Sequence, residues 1–405
     1  MNILFLTLVE INSFDERGIY QDLLRKFIKE GHHISVVTAA ERREQIKTNL
    51  QTFNNNYILQ VKTLNIQKTN ILEKGLGTLI IEKQFLNAIK KYLPHTKFDL
   101  ILYSTPPITF VKVISFIKKR DQAKSYLLLK DIFPQNAVDI GLMKKGSFIH
   151  RFFRKKEKSL YAVSDFIGCM SPKNVEYLQK NNPELKNKII DVCPNSIELI
   201  NKENTTVLEK ETIREKYNIP LKSSVFVYGG NLGKPQGLEF LLEVLKSNNN
   251  KTDRYFLIVG SGTEYSKIRN WFDINTPLNA KLIPYLPKNG YRNLVKSSDV
   301  GLIFLSKKFT TPNYPSRILD YLENKMPVLI ATDVNTDIGP IAQVNKYGFW
   351  TLNGNLNEFN QFIDKFCNDK DLVEEMGDNG YEFLQQNYTV EKAYQIIMKN
   401  FKVDV

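Results

Sequence analysis

Residues 299–332 contain two apolar runs, Val300-Gly-Leu-Ile-Phe304 and Val328-Leu-Ile-Ala331, which are joined by Thr311-Pro-Asn-Tyr-Pro-Ser-Arg317 and Ile318-Leu-Asp320. Short apolar runs bounded by Pro and polar residues are typical of buried strands in a parallel sheet. Pro is favoured at the first helical position, because its missing N–H needs no partner there. The segment therefore predicts a strand, a loop, a helix that begins at Pro315, and a second strand that begins at Pro327.

The predicted helix start has the chemistry of an anion site. The first four backbone N–H groups of a helix lack internal acceptors, and the helix dipole is positive at the same end. Ser316 and Arg317 add side-chain donors, and Asp320 lies on the same face one turn further on, where the ribose of a nucleotide would lie. The alternative is a favourable helix start with no ligand, as occurs in many α/β proteins.

Composition limits the class of protein. A chain of 405 residues predicts two or three domains, and its three cysteines, Cys169, Cys193 and Cys367, lack paired or metal-like spacing. With only four histidines, a zinc site is not expected. No apolar run has the length of a membrane span, and the N-terminus lacks the features of a signal peptide. These observations predict a cytoplasmic protein.

The positive charge lies in one half of the chain. Residues 1–195 contain 31 Lys and Arg against 18 Asp and Glu, whereas the two signs balance in residues 196–405. The basic residues of 144–158 are interleaved with Ile149, Phe152 and Phe153, which is the pattern of an amphipathic helix that binds anionic lipid headgroups. The alternative is an ordinary solvated helix face. We expect peripheral association with the inner face of the membrane, because the excess charge is confined to this half.

Two regions have the order strand, glycine loop, helix that is typical of Rossmann-like domains. The first opens with an apolar run at 2–8, a loop that ends at Gly18, and an amphipathic helix from Ile19 to Glu30 that is closed by Gly31. The second opens with Ser224–Tyr228, the loop Gly229-Gly-Asn-Leu-Gly-Lys-Pro-Gln-Gly237, and a helix from Leu238. The predicted fold class is α/β, with two doubly wound domains.

At the 311–332 segment the chain resembles the C-terminal half of retaining glycosyltransferases of the GT-B family 4, and most resembles the branch that transfers N-acetylated deoxyamino sugars in capsule and O-antigen synthesis. The resemblance implies two Rossmann-like domains that face each other across a cleft, with boundaries at 1–195 and 196–388 and a last helix at 389–405 that crosses back to the N-terminal domain. It also implies a UDP-sugar donor, a polyprenyl diphosphate-linked sugar acceptor, and no metal cofactor. In that family two glutamates lie eight residues apart. Here Asp320 stands for the second, and the position of the first is Pro312.

The glycine loop is the second candidate for phosphate binding. Its glycines let the backbone approach a diphosphate, and Lys234 adds charge, although a turn without a ligand is the alternative. The resembling proteins have Arg and Lys where this chain has Asn231 and Gln236. The segment 284–289 resembles the loop that holds the base, and Gly260 lines the nucleotide or only makes a tight turn.

Asp131 is the candidate for orienting the acceptor hydroxyl. It follows an apolar run at the carboxyl end of a predicted strand, where open α/β sheets bind ligands, and it matches an Asp-x-x-Pro element of the resembling branch. The alternative is a helix N-cap. The resemblance also places Arg17 and Gly18 near the acceptor and the donor phosphates.

Three sets of site residues follow. The catalytic candidates are Asp131, Arg317 and Lys234, and no metal ligands are expected. The donor-binding candidates are Gly230, Asn231, Gln236, Gly260, Leu286, Pro287, Tyr314, Pro315, Ser316 and Asp320. The acceptor-binding candidates are Arg17, Gly18, Lys130 and Asn136.

The missing first acid suggests a donor with few hydroxyls, such as an N-acetylated 6-deoxyhexosamine, which apolar Pro312, Tyr314 and Pro315 would suit. Two other classes of function stay open. A sugar-nucleotide 2-epimerase also uses two Rossmann-like domains, but it needs crevice carboxylates and histidines, and this chain is poor in histidine. A basic nucleic-acid-binding protein would fit the sequence pI near 9.3, but the cationic residues lack interleaved stacking aromatics. We expect no nucleic-acid partner.

Overall fold

The computed structural model describes residues 1–66, 71–199 and 206–401. Within them the chain forms two compact units. The N-terminal unit comprises Met1–Glu198 and the residues from Val390 onward, and the C-terminal unit comprises Leu199–Thr389. Each unit is a Rossmann-like α/β domain with a parallel-sheet core, so the predicted fold class is confirmed.

The N-terminal unit is built on eight strands. Its elements are β1 Asn2–Thr7, α1 Ile19–Lys29, β2 His33–Glu41, β3 Asn49–Phe53, β4 Asn56–Thr63, α2 Ile71–Tyr92, β5 Leu100–Ser104, α3 Val111–Asp121, β6 Lys124–Leu129, α4 Gln135–Asp139, α5 Phe148–Val163, β7 Phe166–Cys169, α6 Pro172–Asn181 and β8 Ile189–Val192. The strand order is β3-β4-β2-β1-β5-β6-β7-β8, and only the edge strand β3 pairs antiparallel. The strand order reverses beside β1, which puts the loops after β1 and β5 next to each other.

The C-terminal unit is built on six strands. Its elements are α7 Val207–Lys216, β9 Ser224–Asn231, α8 Leu238–Asn248, β10 Arg254–Ser261, α9 Tyr265–Asn275, β11 Ala280–Ile283, α10 Lys288–Lys296, β12 Val300–Phe304, α11 Arg317–Glu323, β13 Val328–Thr332, α12 Ile338–Val344, β14 Gly348–Leu352, α13 Leu356–Asn368 and α14 Lys370–Asn387. All pairs in the order β11-β10-β9-β12-β13-β14 are parallel. The strand order reverses between β9 and β12.

The last helix, α15 (Val390–Met398), is part of the N-terminal unit. Its Val390, Ala393 and Ile397 are buried with the residues of β1 and α1 in one apolar cluster. Its Tyr394 ring lies 5.0 Å from the ring of Phe27, measured between centroids. The chain therefore returns to its N-terminal unit after completing the C-terminal one.

The central strands are buried and consist mainly of apolar residues. Every residue of β5, β12 and β13 is buried, which is typical of parallel strands covered by helices on both faces. Among the described residues, we find no helix that is both long and apolar enough to cross a membrane.

The helix predicted to begin at Pro315 begins at Arg317, with Ser316 as its N-cap residue. Tyr314 explains the difference: it is buried, with its hydroxyl bonded to that of Tyr388, so the chain must leave the core before the helix can start. Two of the backbone N–H groups that were expected to lack an acceptor within the helix donate hydrogen bonds to carbonyls just before it. Ile318 N–H donates to the Pro315 carbonyl at 3.4 Å, and Leu319 N–H donates to that of Ser316 at 3.1 Å.

Candidate active site

The loops that follow β9 and β12 leave the same edge of the C-terminal sheet. In open α/β sheets, ligands bind at the carboxyl ends of the strands where the strand order reverses. This position brings the glycine loop after β9 close to the 305–316 segment that leads into α11. The sequence gives both segments, but only the strand order makes them neighbours.

Arg317 occupies the centre of this region. Its guanidinium lies 4.4 Å from the centroid of the Tyr228 ring, and its Nη2 donates to Gln236 Oε1 at 3.0 Å. Its Nη1 is shielded from solvent and has no hydrogen-bond partner, and among the described residues no carboxylate lies within 4 Å of the guanidinium. A shielded cation that lacks a counter-ion lowers the stability of a fold, and buried charges are therefore normally paired. The geometry is therefore that of an anion-binding group.

Gln236 has a defined role in this arrangement. The resembling proteins have a lysine at its position, whereas here its side-chain oxygen accepts the Arg317 hydrogen bond. The Tyr228 hydroxyl donates to the carbonyl of Asn231 at 2.8 Å and reaches Gln236 Oε1 at 3.4 Å. A second cationic group, beside Lys234 of the loop itself, thus comes from α11 and is held against the loop by Gln236.

Two glycines of this region, Gly230 in the glycine loop and Gly260 in β10, differ in what a side chain would meet. A Cβ at Gly230, which has φ +119°, would lie 3.6 Å from the Arg317 guanidinium. A Cβ at Gly260, which has φ +153°, would lie 1.9 Å from the Gly230 carbonyl oxygen. Gly260 pairs with Gly230 across β9 and β10, and its expected contact with the nucleotide stays a prediction.

Two tyrosines of the site, Tyr321 and Tyr291, were not predicted from the sequence. Tyr321 fills the space above Gly301 and bonds to the backbone of β9, with its hydroxyl 3.2 Å from both Gly229 N and Val227 O. The Tyr291 ring lies over Gly229, and its shielded hydroxyl makes no hydrogen bond. Burial raises the pKa of Tyr321 to about 12, so it stays neutral. A glycine inside a strand such as β12 was the available signal.

The other donor-binding candidates differ in how far their side chains are exposed to solvent. Tyr314 is buried with its hydroxyl bonded to that of Tyr388, and its expected contact with a donor sugar stays a prediction. Ser316 is exposed, and Asp320 is partly buried close enough to Tyr291 for their charges to interact. The remaining positions are on or near the surface: Asn231, Lys234 and Pro287 are exposed, and Leu286 and Pro315 are partly exposed.

Asp131 follows β6 in the N-terminal unit. Helix α4 begins at Gln135 with Pro134 as its N-cap residue, so Asp131 is not the helix cap that the sequence left open. The Asp131 side chain is exposed, and its N–H donates to Thr105 Oγ1 at 3.2 Å. Partial desolvation raises the pKa of its carboxyl. Tyr20 on α1, a residue the sequence analysis did not select, interacts with Ser104 and with the Asp131 charge.

The remaining acceptor-binding candidates divide into two kinds. Arg17 is held within its own unit: its Nη2 donates to the Glu198 carbonyl at 3.2 Å, and its Nε lies 3.9 Å from Asp22 Oδ2. Gly18 begins α1 and donates its N–H to the same carboxylate at 3.1 Å. Lys130 and Asn136, in contrast, lie on either side of Asp131 in the sequence. The Lys130 ammonium donates to the carbonyl of Cys193, and Asn136 Oδ1 has no hydrogen-bond partner among the described residues.

No group of three or more His, Cys, Asp or Glu side chains in the described ranges is arranged to hold a metal ion. The three cysteines are free thiols, and Cys169 and Cys193 are buried.

Comparisons with known proteins identify the class of the C-terminal unit. Residues 209–383 match the family model of glycosyl transferases group 1. "Probable glycosyltransferase WbjE" of Pseudomonas aeruginosa is 24% identical over 330 residues, which cover 80% of this chain and 78% of that protein. WcaI of Escherichia coli (strain K12), named as a colanic acid biosynthesis glycosyl transferase, is 20% identical over 278 residues, or 66% of this chain and 65% of that one.

A solved structure supports the same fold. The crystal structure of HepE from Anabaena in complex with UDP-glucose superposes with a TM-score of 0.68 at 14% identity, covering 99% of both chains. The chain is a glycosyltransferase with the GT-B fold, and its residues 209–383 match the group 1 family. Arg317, Gln236 and the glycine loop all lie within that range.

Proposed function

We propose that this glycosyltransferase moves an N-acetylated amino sugar from a UDP-sugar to a lipid diphosphate-linked sugar, with retention of configuration, in bacterial surface polysaccharide synthesis. The relative named for colanic acid biosynthesis supports the polysaccharide context, and the UDP-glucose complex of HepE supports the donor class. The matched family model and the relatives favour a transferase over a 2-epimerase.

The observation that carries the proposal is the shielded Arg317 guanidinium without a carboxylate partner. Within the fold, the guanidinium stacks on Tyr228 and donates from Nη2 to Gln236. In the described residues, Nη1 has no hydrogen-bond acceptor. A diphosphate supplies acceptor oxygens and negative charge together, and Arg binds such oxygens in a planar, bidentate manner. Arg317 would therefore stabilise the charge that develops on the departing nucleoside diphosphate.

The reaction needs little covalent work from the protein. The bond between the anomeric carbon and the diphosphate oxygen breaks, the acceptor oxygen attacks from the same side, and its proton passes to the departing phosphate. Exposed Lys234 adds charge near the leaving group, and Asp131 orients the acceptor hydroxyl. We propose that no metal is required, since Arg317 and Lys234 supply the positive charge.

The donor is proposed to be an N-acetylated 6-deoxyhexosamine. Pro312 stands where the resembling proteins have an acid that binds sugar hydroxyls, so the site has lost one acceptor. Pro312 and Tyr314 are both buried, so of these three apolar residues Pro315 is the one that is partly exposed to a donor.

A ligand panel tests the donor class. By calorimetry we expect UDP to bind at least tenfold more tightly than ADP, GDP or uridine, with affinity unchanged by EDTA. In transfer assays, UDP-N-acetylfucosamine should be used faster than UDP-glucose. Equal rates with UDP-glucose would contradict the assignment of the sugar, and UDP binding no tighter than uridine would contradict the diphosphate site. An isomer formed from UDP-N-acetylglucosamine alone would indicate an epimerase.

We further propose that the N-terminal unit docks on the membrane through the start of α5. Leu142, Phe148 and Ile149 are 64%, 85% and 58% exposed, which is unusual for large apolar side chains that lie this close together in sequence. The exposed cations of the same segment are Lys144, Lys145, Arg151 and Lys155. Apolar side chains beside cations are typical of interfacial helices that bind anionic lipid.

The basic residues are not equivalent. Arg154 is bound to Glu157 at 2.5 Å and to the Asn181 carbonyl at 2.8 Å, and Lys158 pairs with Glu184 at 3.0 Å. Arg154 is therefore bound within the fold and the charge of Lys158 is offset by Glu184, so the charge available to a membrane comes mainly from the others. An open groove of about 540 Å³ beside α5 is lined by Arg151 and Lys155 among others.

Vesicle sedimentation tests the docking surface. The double variant Phe148→Ser/Ile149→Ser removes two apolar side chains, each worth about 1.5–3 kcal/mol when buried, so binding to vesicles with 30% phosphatidylglycerol should fall at least tenfold. Lys144→Glu/Lys145→Glu should weaken binding to these vesicles and have no effect on neutral ones. Leu278→Ser is the matched control, because Leu278 is 85% exposed on the other unit. Equal loss in the control would contradict the proposal.

A further inference from the structure

Lys130 is a cation without a counter-ion. It follows β6 directly before Asp131, and its Nζ donates to the carbonyl of Cys193 at 3.3 Å. Its backbone N–H donates to Thr105 Oγ1 at 2.9 Å, which fixes the chain at this point. Over residues 1–66, 71–199 and 206–401, no carboxylate lies within 4 Å of the Lys130 ammonium. The fold therefore holds this ammonium with one neutral acceptor and leaves two of its N–H bonds unused.

The groups around the ammonium do not neutralise it. Cys169 on β7 and Cys193 after β8 interact with the ammonium, and Asp131 is adjacent in sequence. Beyond Cys193 lie Tyr126 and the carboxylate of Asp191, which is paired with Lys399 at 2.7 Å. Burial raises the pKa of both thiols and of Tyr126, so all three are neutral near pH 7. Desolvation lowers the pKa of Lys130 to about 8. A partly buried charge with no compensation destabilises a fold, which favours a role in binding an anion.

Two buried amide oxygens occur in the segments that flank this lysine. Asn136 Oδ1 lies on α4, five residues after Asp131, and Asn195 Oδ1 lies two residues after the carbonyl that Lys130 contacts. Neither oxygen has a hydrogen-bond partner. Unsatisfied buried acceptors are uncommon in folded proteins, and hydroxyl groups of a ligand would satisfy them. The chain segments next to Lys130 and its Cys193 contact therefore carry two unpartnered acceptors.

We propose that Lys130 binds the phosphoryl group of a sugar diphosphate acceptor, while the amides of Asn136 and Asn195 bind hydroxyls of its sugar. This assignment rests on the proposed function, and it identifies the part of the acceptor that Lys130 binds. Asp131, adjacent in sequence, is then near the acceptor hydroxyl. The ammonium selects acceptors that carry a diphosphate over the same sugar without one.

Kinetics with two acceptors test this. One acceptor is a sugar linked to a short prenyl diphosphate, and the other is the same sugar as an alkyl glycoside. For Lys130→Met we expect KM for the diphosphate acceptor to rise at least tenfold, while KM for the glycoside and the Kd of UDP stay within twofold. Lys130→Arg should keep most of the affinity, because it keeps the charge. Equal losses with both acceptors, or weaker UDP binding, would overturn the proposal.

The pH dependence separates charge from shape. The ammonium of the free enzyme loses its proton as the pH rises through about 8, so KM for the diphosphate acceptor should rise between pH 7 and 9. In Lys130→Arg this rise should disappear, since a guanidinium stays protonated. A purely structural role would leave the two profiles parallel.

A binding experiment remains informative even if no transfer is detected. Calorimetry with farnesyl diphosphate should show at least tenfold weaker binding to Lys130→Met than to the wild type, and no difference with farnesol. Because the substitution removes an uncompensated charge, the melting temperature of the variant should be unchanged or higher. Equal binding of farnesyl diphosphate to both proteins would overturn the lysine's role without bearing on the donor site.

Discussion

Replacing Arg317 by methionine is expected to weaken UDP binding by about 100-fold and to lower kcat/KM for the UDP-sugar by at least as much. The reason is that charge-assisted hydrogen bonds to the diphosphate, each worth about 1.5–3 kcal/mol, would be lost from both the bound state and the transition state. Arg317→Lys should recover only part of the loss, since an ammonium cannot make the planar, two-bond contact. Calorimetry with UDP and steady-state kinetics provide the measurements.

The stability of Arg317→Met separates a binding role from a structural one. An uncompensated, shielded cation contributes nothing to the fold by ion pairing, and the Tyr228 hydroxyl still reaches Gln236 Oε1 at 3.4 Å. We therefore expect the melting temperature without nucleotide to be unchanged or higher. Arg269→Met is the control, because Arg269 is 69% exposed in the same unit and the change in charge is identical. Unchanged UDP affinity in Arg317→Met would contradict the proposed site.

Gly260→Ala is expected to destabilise the protein by about 3 kcal/mol or more and to weaken UDP binding as well. A Cβ there would lie 1.9 Å from the Gly230 carbonyl oxygen, and φ +153° is unfavourable for any L side chain. Because the obstacle is backbone, relief requires β9 and β10 to separate, which displaces the glycine loop from Arg317. Denaturant unfolding and UDP titration measure the two effects.

Gly290→Ala is the matched control for this substitution. Gly290 lies in α10, where a Cβ would have its nearest neighbour at 3.7 Å, an ordinary contact. Alanine is favoured over glycine inside a helix by about 1 kcal/mol, so this variant should be as stable as the wild type or more stable. If Gly260→Ala and Gly290→Ala unfold at the same denaturant concentration, the close approach of β9 and β10 is not needed.

Much of each unit could be predicted from local patterns. The apolar runs became strands, the helix from Ile19 ends beside Gly31, which has φ +81°, and β12 and β13 bracket α11 as expected. The edge strands β3 and β14 were missed, because β3 is polar and the short apolar run of β14 is interrupted by Thr351. The start of α11 was placed two residues early, because the preference of Pro for a first helical turn competes with the burial of Tyr314, which the local sequence does not reveal.

Sequence alone determined the alternation of strands, glycine loops and helices, and the confinement of positive charge to the first half, since both depend on residue type and short spacing. The tertiary structure decided which groups meet. Gln236 and Arg317 are 81 residues apart and are joined only because β9 and β12 are neighbours in the sheet. Likewise, the Lys130 ammonium lies against the carbonyl of Cys193, 63 residues away, and the described part of the chain gives it no counter-ion. Whether a group has a partner or lacks one depends on three-dimensional packing, so a local sequence pattern cannot show it.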